Sequence, residues 1–234
     1  MKIIVILFFS MLLALPTYGQ NRETDYLSHV LEKMNAVESV TYHCVKKAWE
    51  PGDKEPVYSV PTEIYEHVNP QDTAVGYSFL CASDKEFRQP LWVYDGTVFA
   101  YIEKEEKEVR IDDFTQKSPL PFRVIMPQAF GCMKSILEYV LNTQDSIVLS
   151  LKDEGKDYLM ELSIHTPYQV EFFGKACYMP QNPYIYDPTS IYKIWISKEN
   201  DMPYRYRREM QHSISEGICS DFVYNPYGKG KIVA

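Results

Sequence analysis

Apolar positions recur along this chain at two periods, and the changes between them mark out its elements. From Asn21 to Val37 the side chains Tyr26, Val30, Leu31, Met34 and Val37 fall on one face at helical spacing, which predicts an amphipathic helix. From Ser39 the period becomes two. β-type residues run to Trp49, Pro51-Gly52-Asp53 turns the chain, and Val57 to Val68 returns as the second arm of a hairpin. A further strand fits Thr73 to Cys81. Helical spacing reappears from Pro127 to Asn142, where Pro127 suits the first turn and Phe130, Met133, Ile136, Leu137, Val140 and Leu141 form a buried stripe. Gly131 lowers the helix propensity of that segment.

Leu91 to Ile102 is the clearest hairpin. Asp95-Gly96 supplies the positive-φ residues of a two-residue type I′ turn, which sets Val93 opposite Val98, Leu91 opposite Ala100, Trp92 opposite Phe99 and Tyr94 opposite Thr97. Opposed residues share a face. One face then carries Leu91, Val93, Val98, Ala100 and Ile102, the other Trp92, Tyr94, Phe99 and Tyr101, so the hairpin needs cover on both sides. Charged residues 103 to 107 lead into a strand at Glu108 to Asp112. After the second helix, strands are expected at Ser146–Lys152, Asp157–Ile164, Gln169–Phe173, Ile191–Ser197, Tyr204–Met210 and Ile214–Tyr224. The proline- and tyrosine-rich stretch from Tyr178 to Asp187 is expected to be a loop. Hairpins outnumber strand–helix alternations, so the predicted sheet is antiparallel and the class mainly β with some helix.

The first residues follow another pattern. Lys2 precedes an apolar run from Ile3 to Leu15 broken only by Ser10, and small residues Thr17 and Gly19 follow. This reads as a secretory signal cut between Gly19 and Gln20. As a helix the run would span about 20 Å, short of the roughly 30 Å hydrocarbon core. A permanent transmembrane anchor is therefore not expected. No cysteine follows the run, so an acylated N-terminus is not expected either. The division read from sequence is a signal over 1–19 and one domain over 20–234, exported and soluble.

Charge and chemistry narrow the function classes. A net charge of −8 disfavours a nucleic-acid partner. The five cysteines, Cys44, Cys81, Cys132, Cys177 and Cys219, include no Cys-x-x-Cys pair. Most read as small buried residues, and if one bridge forms, Cys177 with Cys219 is the candidate. His29, His43, His67, His165 and His212 stand too far apart in sequence for a zinc motif. Ten glycines include no nucleophile elbow, phosphate-binding loop or dinucleotide fingerprint, so no catalytic residue, metal or cofactor is assigned. Asp112 and Asp113 are neighbours in a strand and point to opposite faces. From Tyr204 to Met210 an aromatic face alternates with a charged one, and Arg208 breaks the alternation.

Three stretches carry a family resemblance: Gln169-Val170-Glu171-Phe172-Phe173-Gly174-Lys175; Pro188-Thr189-Ser190 with Ile194-Trp195-Ile196-Ser197; and Asp201-Met202-Pro203-Tyr204-Arg205 with Arg208-Glu209-Met210. Together with Ile111-Asp112-Asp113-Phe114 and Leu120-Pro121-Phe122-Arg123, they resemble the N-terminal region of redoxin (TlpA-like) envelope proteins of Gram-negative bacteria. That region is similar to the outer-membrane lipoprotein carrier, or LolA-like, fold. The resemblance covers Tyr26 to Asn225 and implies a curved antiparallel sheet or half-barrel of about ten strands over two or three helices. The thioredoxin-like domain of such relatives, with its Cys-x-x-Cys pair, is missing from this chain, so redox activity does not carry over.

Two functions follow as expectations. The first is a periplasmic, non-catalytic binding module whose aromatic face, including Trp92, Tyr94, Phe99, Tyr101, Tyr204 and Tyr206, admits the apolar part of a lipid, lipopeptide or peptide. The second is an accessory relative of a thiol–disulfide protein that recognises client proteins in the cell envelope without redox chemistry of its own.

Overall fold

The computed structural model describes residues 17–73, 75–103, 105–114, 129–179, 187 and 189–226. The apolar run from Ile3 to Leu15 lies outside them. The described residues open with helix α1 (Thr17–Asn35), which runs across the cut expected at Gly19–Gln20. Six strands follow: β1 (Ser39–Trp49), β2 (Tyr58–Val68), β3 (Tyr77–Ala82), β4 (Pro90–Tyr94), β5 (Val98–Glu103) and β6 (Glu108–Asp113). Helix α2 (Phe130–Asn142) separates them from β7 (Ile147–Asp153), β8 (Asp157–Ile164), β9 (Gln169–Phe172), β10 (Ala176–Met179), β11 (Ser190–Ser197), β12 (Met202–Met210) and β13 (Ser213–Tyr224).

Eleven strands make one antiparallel sheet in the order β6-β5-β4-β3-β2-β1-β13-β12-β11-β8-β7. Each half is a run of hairpins, and the pairing of β1 with β13 joins the halves. The sheet is curved and does not close, so β6 and β7 are its edges. β9 and β10 leave it to form a two-stranded sheet of their own. Gln169–Phe172 is therefore outside the main meander in which the sequence placed it. Tyr178, expected in a loop, lies on β10, while residues 180–186 are outside the description.

Both helices pack on the inner face. α1 buries Leu27, Val30 and Met34, with Tyr26 and Leu31 at the margins; α2 buries Phe130, Met133, Ile136 and Leu137. Opposite them lie Val40, Tyr42, Ile64, Phe79, Tyr192, Ile194 and Tyr206. Each large side chain so buried contributes roughly 1.5–3 kcal/mol. The outer face is charged, where Lys193 bridges Glu161 and Glu209, and Arg205 pairs with Glu216.

The 91–102 hairpin has a different register from the one its Asp-Gly turn suggested. Tyr94 stands opposite Phe99, Val93 opposite Ala100 and Trp92 opposite Tyr101. The Asp95 carboxylate accepts hydrogen bonds from the Thr97 and Val98 N–H groups at 2.8 and 2.7 Å, and Gly96, at φ +106°, takes the positive-φ corner of a Gly96-Thr97 turn. The shift is two residues, so every side chain keeps the face assigned to it. β3 begins at Tyr77 rather than Thr73. The reason is Asp72, which accepts from the Val75 and Gly76 N–H groups at 3.2 and 2.9 Å and holds that segment as a turn.

Candidate functional site

The end of α2 is secured from a distance. Its N-cap, Ala129, offers no side-chain acceptor, yet the first helical N–H groups are buried and need one. Glu66, on the inner face of β2 and 1 % exposed, accepts from the Phe130 and Gly131 N–H groups at 2.7 and 2.9 Å and from the Tyr42 hydroxyl. Burial raises the Glu66 carboxyl above its usual range, and these three bonds oppose the rise. An ion pair on the inner side joins Arg208 to Glu171 of β9 at 2.5 Å. Arg208, which broke the alternation in the sequence, points inward and ties the small sheet to the large one.

Glu66 and α2 thus seal the middle of the inner face, but the seal does not reach the far ends of β1 and β2. Exposure rises along β2 from nothing at Ile64 to 37 % at both Val60 and Tyr58. There the inner face opens into a groove of about 310 Å³ lined by Lys46, Tyr58, Val60, Thr62, Cys81, Leu91, Trp92 and Tyr101. Strand register sets these side chains in rows: Lys46 beside Val60, Cys81 beside Trp92, and Trp92 beside Tyr101. Phe99 supports the floor, its ring 6.0 Å from that of Trp92. Tyr101 is 44 % exposed. Burial pushes the Cys81 thiol up to about 12, so it is a neutral, apolar part of the wall at physiological pH.

The six aromatic residues singled out in the sequence therefore have different places. Trp92 and Tyr101 line the groove, and Phe99 backs it. Tyr94 is core: 1 % exposed, it donates to Asp72 at 3.0 Å and to the Gly96 carbonyl at 3.1 Å. Tyr206 is core as well, at 2 % exposure against Tyr192. Tyr204 lines a separate hollow of about 660 Å³ with Lys156, Asp157, Lys198, Glu199, Asn200, Phe222 and Tyr224, and donates to Asp157 at 2.8 Å. The wall of that hollow mixes the charged and amide groups with Met202, Pro203, Phe222 and Tyr224. Lys46, Tyr58 and Val60 were missed in the sequence; only their even-numbered alternation with Tyr42, Cys44, Thr62 and Ile64 marks them as inward-facing.

Cys177 and Cys219 are not bridged. Cys177 is half-buried on β10, whereas Cys219 is buried on β13 directly opposite Cys44. Among the described residues no three His, Cys, Asp or Glu side chains gather as metal ligands, and no helix is long and apolar enough to cross a membrane.

No protein-family model matches the chain, and no curated protein matches it. Solved structures do. The chain is similar to the lipoprotein LppX of Mycobacterium tuberculosis, at 8 % identity over 90 % of this chain and 97 % of that one, with a TM-score of 0.43. It is similar to LprF of Mycobacterium bovis at 9 % identity, 92 % and 96 % coverage and a TM-score of 0.43. A LolA-superfamily protein of Nitrosomonas europaea aligns at 9 % identity over 85 % of this chain and 93 % of that one, with a TM-score of 0.31.

Proposed function

We propose that this chain is an exported, non-catalytic binding module that shelters an apolar chain, from a lipid or lipopeptide of the cell envelope, in the groove bounded by Trp92, Tyr101, Tyr58 and Val60. The observation that carries the reading is the continuity of that groove with the core: the same inner face that buries Ile64 and Cys81 leaves aromatic and aliphatic side chains uncovered a few residues further on. Large apolar side chains left in water forgo burial that a ligand of similar character restores, at about 0.8 kcal/mol per methylene. The tripartite N-terminus supports export, and an envelope location supplies such ligands. Four of the five cysteines are buried, which favours this reading over an accessory role in thiol exchange.

The test uses Trp92 as reporter. With Trp49 and Trp195 replaced by phenylalanine, titration with a long-chain acyl compound should change the Trp92 emission saturably, and Tyr101→Ala should weaken binding several-fold. An emission that stays flat up to the solubility limit of several chain lengths would sink the proposal.

A further inference from the structure

The groove has one charged residue in its wall. Lys46 lies on the inner face of β1 beside Val60, its ammonium 5.7 Å from the centre of the Tyr58 ring. Other cations around the sheet have carboxylates at hand: Lys33 has Asp201, Lys193 has Glu209, Arg110 has Glu103 and Arg208 has Glu171. Lys46 has no carboxylate within ion-pair distance among the described residues, although the chain as a whole carries a net charge of −8. Placing an ammonium among aromatic and aliphatic side chains costs desolvation that an anion from outside the protein offsets.

The remaining dimensions limit what brings that anion. From Lys46 on β1 to Tyr101 on β5 the wall crosses five strands, about 19 Å at the usual strand separation. The volume of about 310 Å³ is at the small end of ligand pockets, which run from roughly 300 to 1,000 Å³, and leaves room for one chain rather than two. Resting on the groove reading above, we propose that Lys46 is a specificity-determining residue, and that the ligand is a single-chain amphiphile whose anionic end meets Lys46 while its tail runs across Thr62, Cys81 and Trp92 to Tyr101. A charge-assisted contact from the ammonium to a carboxylate or phosphate oxygen fixes the direction in which the chain lies.

Binding of dodecanoate, dodecyl phosphate, dodecanol and dodecyltrimethylammonium to the full chain, followed by Trp92 emission in the background described above, separates the possibilities. Both anions should bind at least about ten-fold more tightly than the alcohol, with the cation weakest. The ratio of the two anions tells carboxylate from phosphate. Lys46→Met should bring the two anions to the affinity of the alcohol, while circular dichroism and thermal unfolding show that the variant is folded; Lys46→Arg should restore the preference for anions. Equal binding of anion and alcohol by the unaltered chain, or a preference that survives Lys46→Met, overturns the role of Lys46 while leaving the apolar groove standing. Failure of all four to bind overturns the groove and this inference with it.

Discussion

Gly131 shows how one position answers to two demands. By helix propensity alone it is a weakness in α2, and alanine would be the better residue. In the fold, a Cβ at Gly131 would lie 2.7 Å from the Tyr77 ring, so the glycine lets α2 settle onto β3. Gly131→Ala is therefore expected to destabilise by about 1–3 kcal/mol in urea unfolding, against the sign of its propensity. Unchanged or increased stability would show that Tyr77 moves aside at little cost. The same logic divides the aromatic residues: alternation shows which way Tyr94 and Trp92 point, but not which of them is covered. Tyr94 is covered because Asp72 and Phe114 close over it, and Trp92 is half-open because its neighbours Tyr58 and Tyr101 stand clear of the helices.

At the scale of the elements, α2 depends on a strand far from it in sequence. Its own N-cap is an alanine, and the acceptor for its first turn is Glu66 of β2. Glu66→Ala leaves two helical N–H groups and the Tyr42 hydroxyl without that partner in a dry site, and should cost about 3 kcal/mol or more. Hydrogen exchange at Phe130 and Gly131 should quicken more than exchange in the middle of α2. Uniform acceleration along the helix would instead point to general loosening of the core. Strand periodicity, with β11 alternating along its whole length between a buried and an outward face, marked β1, β2, β8 and β11 close to their observed limits. It placed the start of β3 too early, because the Asp72 turn depends on one carboxylate capturing two N–H groups, which the apolar pattern does not record.

At the scale of the whole molecule, an ionic contact joins helix α1 to the second half of the chain. Asp201, in the β11–β12 turn, accepts from Lys33 of α1 at 2.7 Å and Tyr26 at 3.2 Å, and His29 lies 3.5 Å away. The Lys33 hydrogen bond is the main reason the Asp201 carboxyl is held below its usual 3.8, with burial opposing it. A carboxyl held low in the folded state adds stability that is present above its unfolded pKa and lost as pH falls through the folded one. Replacing Asp201 with asparagine should thus lower stability at neutral pH, and the difference from the unaltered chain should shrink as the pH falls below the usual carboxylate value and through the lowered folded one. A difference that persists undiminished in acid would mean that the contact is steric rather than ionic.

The order of apolar and polar residues by itself determined an antiparallel, mainly β chain with two amphipathic helices, the inward direction of the aromatic side chains, and a chain whose N-terminus reads as an export signal. These follow from local periods of 2 and 3.6 and from turn residues, which act over a few positions. Only the tertiary structure decided that β1 pairs with β13, that β9 and β10 leave the main sheet, that Glu66 caps α2, and that the cover over the inner face stops short of Trp92, Tyr101 and Lys46. Each of those depends on residues tens to hundreds of positions apart meeting in space, and among the described residues the two helices leave part of the inner face of the eleven-stranded sheet uncovered.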